Sequence, residues 1–282
     1  MSTIQEQAEE AIFALQVVPL PDRFRFYALP GRIPRKVLGL VLPVLILIVW
    51  EVLSRAGVLA ANWFPAPSAI AGTLLDLLHG GELIRHVLVT LARVLAGFLI
   101  GTLAATILGG VVGSTPLVRH LLDPTLQALR NIPSMAWVPL FLLWLGIHES
   151  SKIALIAVGV FFPVYLNLLS GIMTADRKLV EVGQVFRLNK TQLVRRVILP
   201  AALPSFLVGL RSGLSLGWMF VVAAEIMGAS SGLGYLMIDG QMTGRASVII
   251  ASIVLFAIFG KLTDLVIESF GNRLLSQRGL GI

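Results

Sequence analysis

The sequence predicts an all-α integral membrane protein with six transmembrane helices. Hydrophobic residues fill 56% of its 282 positions and charged residues only 13%, against about 25% charged in soluble domains. The apolar residues fall in continuous runs of membrane-crossing length, not in the alternating pattern of a β-barrel strand. A long, basic, amphipathic segment, residues 174–200, separates the fourth run from the fifth.

Six runs meet the requirement of about 17–25 apolar residues: 37–54, 87–113, 133–147, 152–173, 204–227 and 248–268. The third is short and extends back through Asn131-Ile132-Pro133, with the proline kinking or starting it. Ahead of the first run, residues 3–16 place Ile4, Ala8, Ile12 and Leu15 on one helical face. Such a helix lies at the lipid interface, packs on the protein or frays. Residues 57–85 read as an outer loop with a short helix capped by Ser68, whose apolar stripe is Ile70, Leu74, Leu75 and Leu78. Residues 228–244, rich in Gly and Ser yet apolar at Tyr235–Ile238, read as a short re-entrant helix at the outer mouth.

Orientation follows from the basic residues. Arg23, Arg25, Arg32, Arg35 and Lys36 precede the first run, and Arg119 and Arg130 fall in a loop at 114–132. Six more lie in 174–200, with Arg273 and Arg278 in the tail. The other side holds Arg55, Arg85, Lys152 and Arg245. Positive charge marks the cytoplasmic side, so both termini and the long loop are expected there. This topology also accounts for the net charge of +7 without nucleic acid as a partner.

Several classes are disfavoured by what the chain lacks. It has no cysteine, hence no disulfide or thiolate metal site. Its four histidines, at 79, 86, 120 and 148, are scattered, and no metal site is expected. The first 30 residues carry Glu6, Glu9 and Glu10 and do not read as a cleavable signal. No GxxxxGK[ST] phosphate loop occurs, so any ATP and Mg²⁺ used by a powered transporter would be bound by a partner chain. An integral membrane enzyme would want clustered Asp, Glu or His to hold a metal, and no such cluster is seen. The chain is not expected to be an enzyme.

The segment 174–200 reads as two short helices with a turn near Arg187–Lys190, and Pro200 starts or kinks the following helix. From the residues alone it is either an amphipathic surface loop at the lipid headgroups or a knob that fits a groove on a cytoplasmic partner. Glu181 and the closing Leu199-Pro200 resemble the cytoplasmic loop of ATP-binding-cassette importer permeases: E-A-A, three residues, G, nine residues, I-x-L-P. Val182 and Gly183 stand for the two alanines, Val197 for the isoleucine and Arg187 for the glycine. Residues 129–133 (Leu-Arg-Asn-Ile-Pro), Trp137-Val138-Pro139-Leu140, Leu143–Gly146, Gly217–Met219, Ala224-Glu225 and Ser231–Tyr235 are similar to the nitrate, taurine and aliphatic-sulfonate subgroup. The resemblance covers about residues 40–272.

That resemblance implies a type I importer permease fold with cytoplasmic coupling helices. It divides the chain into an N-terminal extension at 1–36, a permease domain at 37–273 and a tail at 274–282. It implies ATPase coupling through Glu181, Val182, Gly183, Val185, Phe186, Arg187, Leu188, Leu199 and Pro200. The implied partners are a second copy of this chain, two cytoplasmic ATPase subunits, a periplasmic substrate-binding protein and the lipid bilayer. The implied location is the bacterial inner membrane. The implied cargo is a small anion, with aliphatic sulfonate first and nitrate, taurine or bicarbonate after it. Glycine at 187 would permit positive φ; with arginine there, the turn is expected to shift to Asn189, or Arg187 to be helical.

Charged residues within the runs are costly unless they meet a partner or water. Lys261 and Asp264 are expected to pair, and Glu51 and Arg93 to snorkel outward. Arg211 and Glu225 share a helix face about 21 Å apart. They are candidates, with Trp137 and Trp218, for lining a translocation path; the alternative for Arg211 is a salt bridge to another helix. GxxxG spacings at Gly97/Gly101, Gly109/Gly113 and Gly213/Gly217 point to close helix packing, within the bundle or at a dimer seam. A secondary transporter is the different-class alternative, and it would need intramembrane carboxylates free to couple an ion.

Overall fold

A computed structural model describes residues 35–133 and 136–277, and every regular element among them is helical. The expected helix at 3–16 lies outside the described residues. The chain divides between Ile48 and Val49 into two units. Helix α1, Arg35–Arg55, carries the first apolar run. The second unit holds α2 (Pro67–His79), α3 (Glu82–Ser114), α4 (Pro116–Arg130), α5 (Trp137–Leu145), α6 (Glu149–Met173), α7 (Arg177–Val185) and α8 (Lys190–Leu193). From α8 a wide π turn, Val194–Ile198, leads into α9 (Leu199–Ile226). After it come α10 (Leu233–Met242) and α11 (Ala246–Gln277).

Among the described residues, four helical stretches are long and apolar enough to cross a membrane by composition: Glu82–Ser114, Glu149–Met173, Val194–Ile226 and Ala246–Gln277. The expected third span is not one long helix. Its apolar part is the nine-residue α5, about 14 Å long at 1.5 Å per residue. The expected loop at 114–132 is instead the 15-residue helix α4, with Pro116 in its first turn, where a missing N–H costs nothing.

Helix α6 is the centre of the bundle. Its residues Ile156, Val160, Val164, Leu168 and Ile172, every fourth position, are all buried. On one side they meet α3 at Gly97, Gly101, Ala105, Gly109 and Gly113, again every fourth position and all buried. On the other side Val164 and Val160 meet Gly209, Gly213 and Gly217 of α9. Such rows form ridges that seat in the neighbour's groove, and small residues bring the backbones together. A Cβ built on Gly97 would lie 2.5 Å from Ile156 Cγ2, and one on Gly113 would lie 2.7 Å from Ile172 Cδ1. The GxxxG spacings therefore serve packing within the chain, not a dimer seam. On the opposite face of α3, Leu95, Leu99, Leu103 and Ile107 are exposed, as a surface that faces lipid or a partner requires.

The contacts also fix direction. Helices α3, α6 and α11 run toward the 174–200 end of the bundle, and α9 runs away from it. Gln277 thus shares an end with the loop, while Glu149, Glu225 and α10 sit at the opposite, distal end. In α2, Ile70 and Leu77 are buried whereas Leu75 and Leu78 are exposed, which moves the expected stripe. Ser68 does not cap this helix: Ala66 occupies the N-cap position without a side-chain cap bond, with Pro67 next. The Ser68 N–H and Oγ donate instead to Glu51, at 3.0 and 2.7 Å.

Candidate functional site

The loop at 174–200 folds as a helical hairpin. Helix α7 ends in a Schellman turn, in which the Leu188 N–H donates to the Gly183 carbonyl at 3.1 Å and Arg187 occupies the left-handed position with φ 52°. This corrects the expectation that the turn moves to Asn189 or that Arg187 is helical. Asn189 is committed elsewhere. Its Oδ1 accepts from the Gln192 N–H at 2.8 Å, while Gln192 Oε1 accepts from the Asn189 N–H at 3.1 Å. That reciprocal capping box starts α8, so the positive φ falls on Arg187 despite a cost of about 1–2 kcal/mol.

Gly183 explains the tight hairpin. It is buried, and a Cβ there would stand 2.5 Å from Leu193 Cδ1. A larger residue there would require the Leu193 side chain to shift. The turn then presents Glu181, Val182, Val185, Phe186 and Arg187 outward, with Leu188 half-buried beneath them. Val185 and Phe186 are 81% and 75% exposed, an apolar surface without cover among the described residues. Leu199 and Pro200 are not part of that surface. They lie at the root of α9, where with Arg195, Thr106, Leu168 and Leu203 they line a cavity of about 370 Å³.

The distal end holds a buried ionic network that the sequence did not disclose. Arg93 is 3% exposed, so it does not snorkel. Its Nε and Nη2 donate to the two oxygens of Glu149, each at 2.6 Å. Its Nη1 donates to Glu225 Oε1 at 2.8 Å and to the Ser231 carbonyl at 2.6 Å. Glu225 also accepts from Thr90 Oγ1 at 2.8 Å and from the Gly234 N–H at 2.8 Å, and Thr90 in turn accepts from the Leu233 N–H. Gly232 has φ 121°, and a Cβ there would overlap the Glu225 carboxylate. The Ser231-Gly232-Leu233-Gly234 motif is thereby clamped to α3, α6 and α9. The network corrects the expectation that Glu225 lines a water-filled face, because its side chain is fully buried against Arg93.

Arg211 takes the salt-bridge alternative. Its Nε and Nη2 donate to Asp264 at 2.8 and 2.9 Å, and Nη2 also reaches Glu268 at 3.0 Å. Lys261 pairs with Asp264 at 3.2 Å, as expected. Trp218 is buried, and its indole N–H donates to Thr263 at 2.9 Å; it braces α9 against α11 and does not face a passage. Trp137 does face a cavity. It is half-buried and, with Arg130, Asn131, Phe162, Met219 and Phe220, lines a space of about 300 Å³. Among the described residues no group of His, Cys, Asp or Glu is placed to hold a metal ion.

Residues 97–276 match the family model described as the binding-protein-dependent transport system inner membrane component. The chain belongs to this family. It is similar to the putative aliphatic sulfonates transport permease protein SsuC of Bacillus subtilis, at 42% identity over 85% of this chain and 87% of that one. It is similar at 31% identity to the taurine transport system permease protein TauC of Escherichia coli, over 83% and 87% of the two chains. Similarity to the nitrate import permease protein NrtB of Synechocystis is 30%, over 78% and 82%. This permease is therefore a multi-pass membrane transport protein of the ATP-binding-cassette importer type, not an enzyme, and its family works with an ATPase and a substrate-binding protein.

The permease's sequence announced its hairpin loop and the short distal helix α10 but hid helix α4. The signal for α4 was present in Thr115-Pro116, a helix-start pair, followed by Leu117, Val118, Leu121, Leu122 and Leu126 at helical spacing. Arg130 thus belongs to a helix and not to the cytoplasmic loop expected at 114–132. It lines a cavity together with Val158 and Gly159 of α6.

Proposed function

We propose that this permease carries a small organic or inorganic anion from periplasm to cytoplasm across the bacterial inner membrane, with aliphatic sulfonate first among cargoes and nitrate, taurine or bicarbonate as alternatives. Two copies of the chain form the passage, both termini and the 174–200 hairpin lie in the cytoplasm, and two ATPase subunits grip the hairpins. ATP and Mg²⁺ are bound by those subunits, not by this chain. Residues 1–36 form an extension and 274–282 a tail on the permease domain at 37–273. The observation that carries the coupling reading is the apolar surface of Val182, Val185 and Phe186 beside Glu181, uncovered among the described residues. Closure of the ATPases would draw the two hairpins together and tilt the bundle attached to them.

The secondary-transporter alternative is weakened by the pairing of the intramembrane carboxylates. Glu51 is held by Arg55, Glu225 by Arg93 and Asp264 by Arg211, which leaves none of the three free to couple an ion. The test is reconstitution with the ATPase and binding protein, with ATP hydrolysis and uptake measured for alkanesulfonates, taurine, nitrate and bicarbonate. Glu181→Lys should abolish ATP-driven uptake while the protein remains folded and inserted. Unchanged uptake by that variant would remove the coupling role, and stimulation by none of the anions would remove the cargo class.

A further inference from the structure

We propose that the cavity at the C-terminal end of α4, where residues 131–133 leave the helix, is the anion-selecting point of the passage, with the Arg130 guanidinium as its coordinating cation. The proposal builds on the anionic cargo argued above and places recognition at a residue other than Arg211.

Depth comes first. Asp123 of α4 accepts from Tyr165 Oη at 3.2 Å, and Arg130 and Pro133 share a cavity with Val158 and Gly159. Val138 of α5 lines a second, small cavity with Ser151 and Leu155. As the chain advances from 123 to 138, its neighbours on α6 step back from 165 to about 151–155. Helices α4 and α5 are thus the two halves of one interrupted crossing, antiparallel to α6. Gly159 lies about 15 Å along α6 from Glu149 and about 21 Å from Met173, at 1.5 Å per residue. The interruption is near mid-depth.

Irregular backbone at such a depth persists where it is buried in protein or lines a water-filled space. Interrupted helices at the midplane are where transporters of other folds bind solute. Here α4 ends with the Asn131 and Ile132 N–H groups bonded back to Ala128 and Leu129, and Pro133 accepts from the Ala136 N–H. The adjoining space of about 300 Å³ is at the lower end of small-ligand pockets. Its walls, Trp137, Phe162, Met219 and Phe220, suit a short alkyl chain, and Arg130 and Asn131 supply the polar end.

Charge decides the class of solute. Arg93 is neutralised by Glu149 and Glu225, Arg211 by Asp264 and Glu268, and Arg119 caps the Val112 and Gly113 carbonyls of α3. Arg130 forms no ion pair among the described residues and is exposed on the surface of this chain. A guanidinium at mid-depth is too costly to face lipid, so it faces water, and in that water it favours an oxyanion with geometry suited to its planar fork.

The chain has no cysteine, so a single Met219→Cys reports on this cavity in the complete complex with ATPase and binding protein, in proteoliposomes. The probes are 2-sulfonatoethyl methanethiosulfonate and its trimethylammonium counterpart, each normalised to its rate with a free thiol. The expected result is a preference of about tenfold for the anionic reagent, within the range by which a charged cleft enriches counter-ions, and slower labelling when ethanesulfonate is present. Arg130→Gln in the same background should bring the ratio close to unity, and Arg130→Lys should keep most of it. Leu216→Cys, on the same cavity, repeats the measurement if Met219→Cys does not assemble. A ratio unaltered by Arg130→Gln, or no labelling at either position in any nucleotide state, overturns the proposal. A preference that depends on Arg130 in a wild-type complex that takes up no anion from the panel overturns the cargo assignment and upholds the selecting point.

Discussion

Arg93 and Glu225, 132 residues apart in the chain, meet at 2.8 Å with both side chains almost wholly out of contact with solvent. Around them, Glu149, Thr90 and the backbone of 231–234 satisfy the remaining donors and acceptors. A buried pair of this kind gives modest net stability over an apolar substitute, but removing one partner strands the other. Arg93→Met should therefore destabilise the protein by about 3–5 kcal/mol, and Arg93→Met with Glu225→Met should recover much of it. Thermal unfolding in detergent across the four-member cycle measures the coupling. Single variants as stable as the parent would show that the network is dispensable.

The tight seam between α3 and α6 makes a contrast within one helix. Gly97→Val drives a side chain into Ile156 and should cost about 1–3 kcal/mol as overpacking. Gly110 has nothing within 4 Å of a built Cβ, so Gly110→Ala should be neutral or add up to about 1 kcal/mol through helix propensity. Equal effects at the two positions, in melting temperature and expressed yield, would contradict the packing described.

Arg187 carries a left-handed conformation that its side chain disfavours. Arg187→Gly should keep ATP-driven uptake and raise the protection of the hairpin from proteolysis or hydrogen exchange by up to about 1 kcal/mol. Arg187→Val, β-branched at positive φ, should lower that protection and uptake together. Uptake lost in the glycine variant would mean that the guanidinium itself is needed at the docking surface.

Arg211 is about two-fifths exposed at its side chain and meets two carboxylates. Partly exposed pairs are worth about 0–1 kcal/mol, so Arg211→Ala should cost around that and should not alter the selectivity among anions. Uptake ratios for ethanesulfonate, nitrate and taurine check it. A selective loss of the anions would return Arg211 to the passage.

The legible parts of the fold were those written in one stretch of sequence. Apolar runs marked the long helices, and the amphipathic spacing of 174–200 marked its hairpin. The small-residue rows of α3 and α9 were visible as spacings, but a spacing does not name the helix it faces. The partner of Arg93 was hidden because pairing depends on how distant helices align, which no local pattern encodes. Helix α4 is hidden in the sequence because Arg119, Asp123 and Arg130 make it look like a loop by charge. The turn does not shift to Asn189 because Gln192, three residues on, fixes Asn189 as a helix cap, a pairing that a residue read singly does not reveal.

The small-residue rows on α3 and α9 have a mechanical outcome. With backbones this near, α6 has no room to slide or twist against its two neighbours without steric overlap. The trio is built as a plank, so a push applied at 174–200, as proposed above, would reach the Arg93–Glu225 end without being absorbed on the way. Compliance would then reside at the plank's margin, where α11 leans on α9.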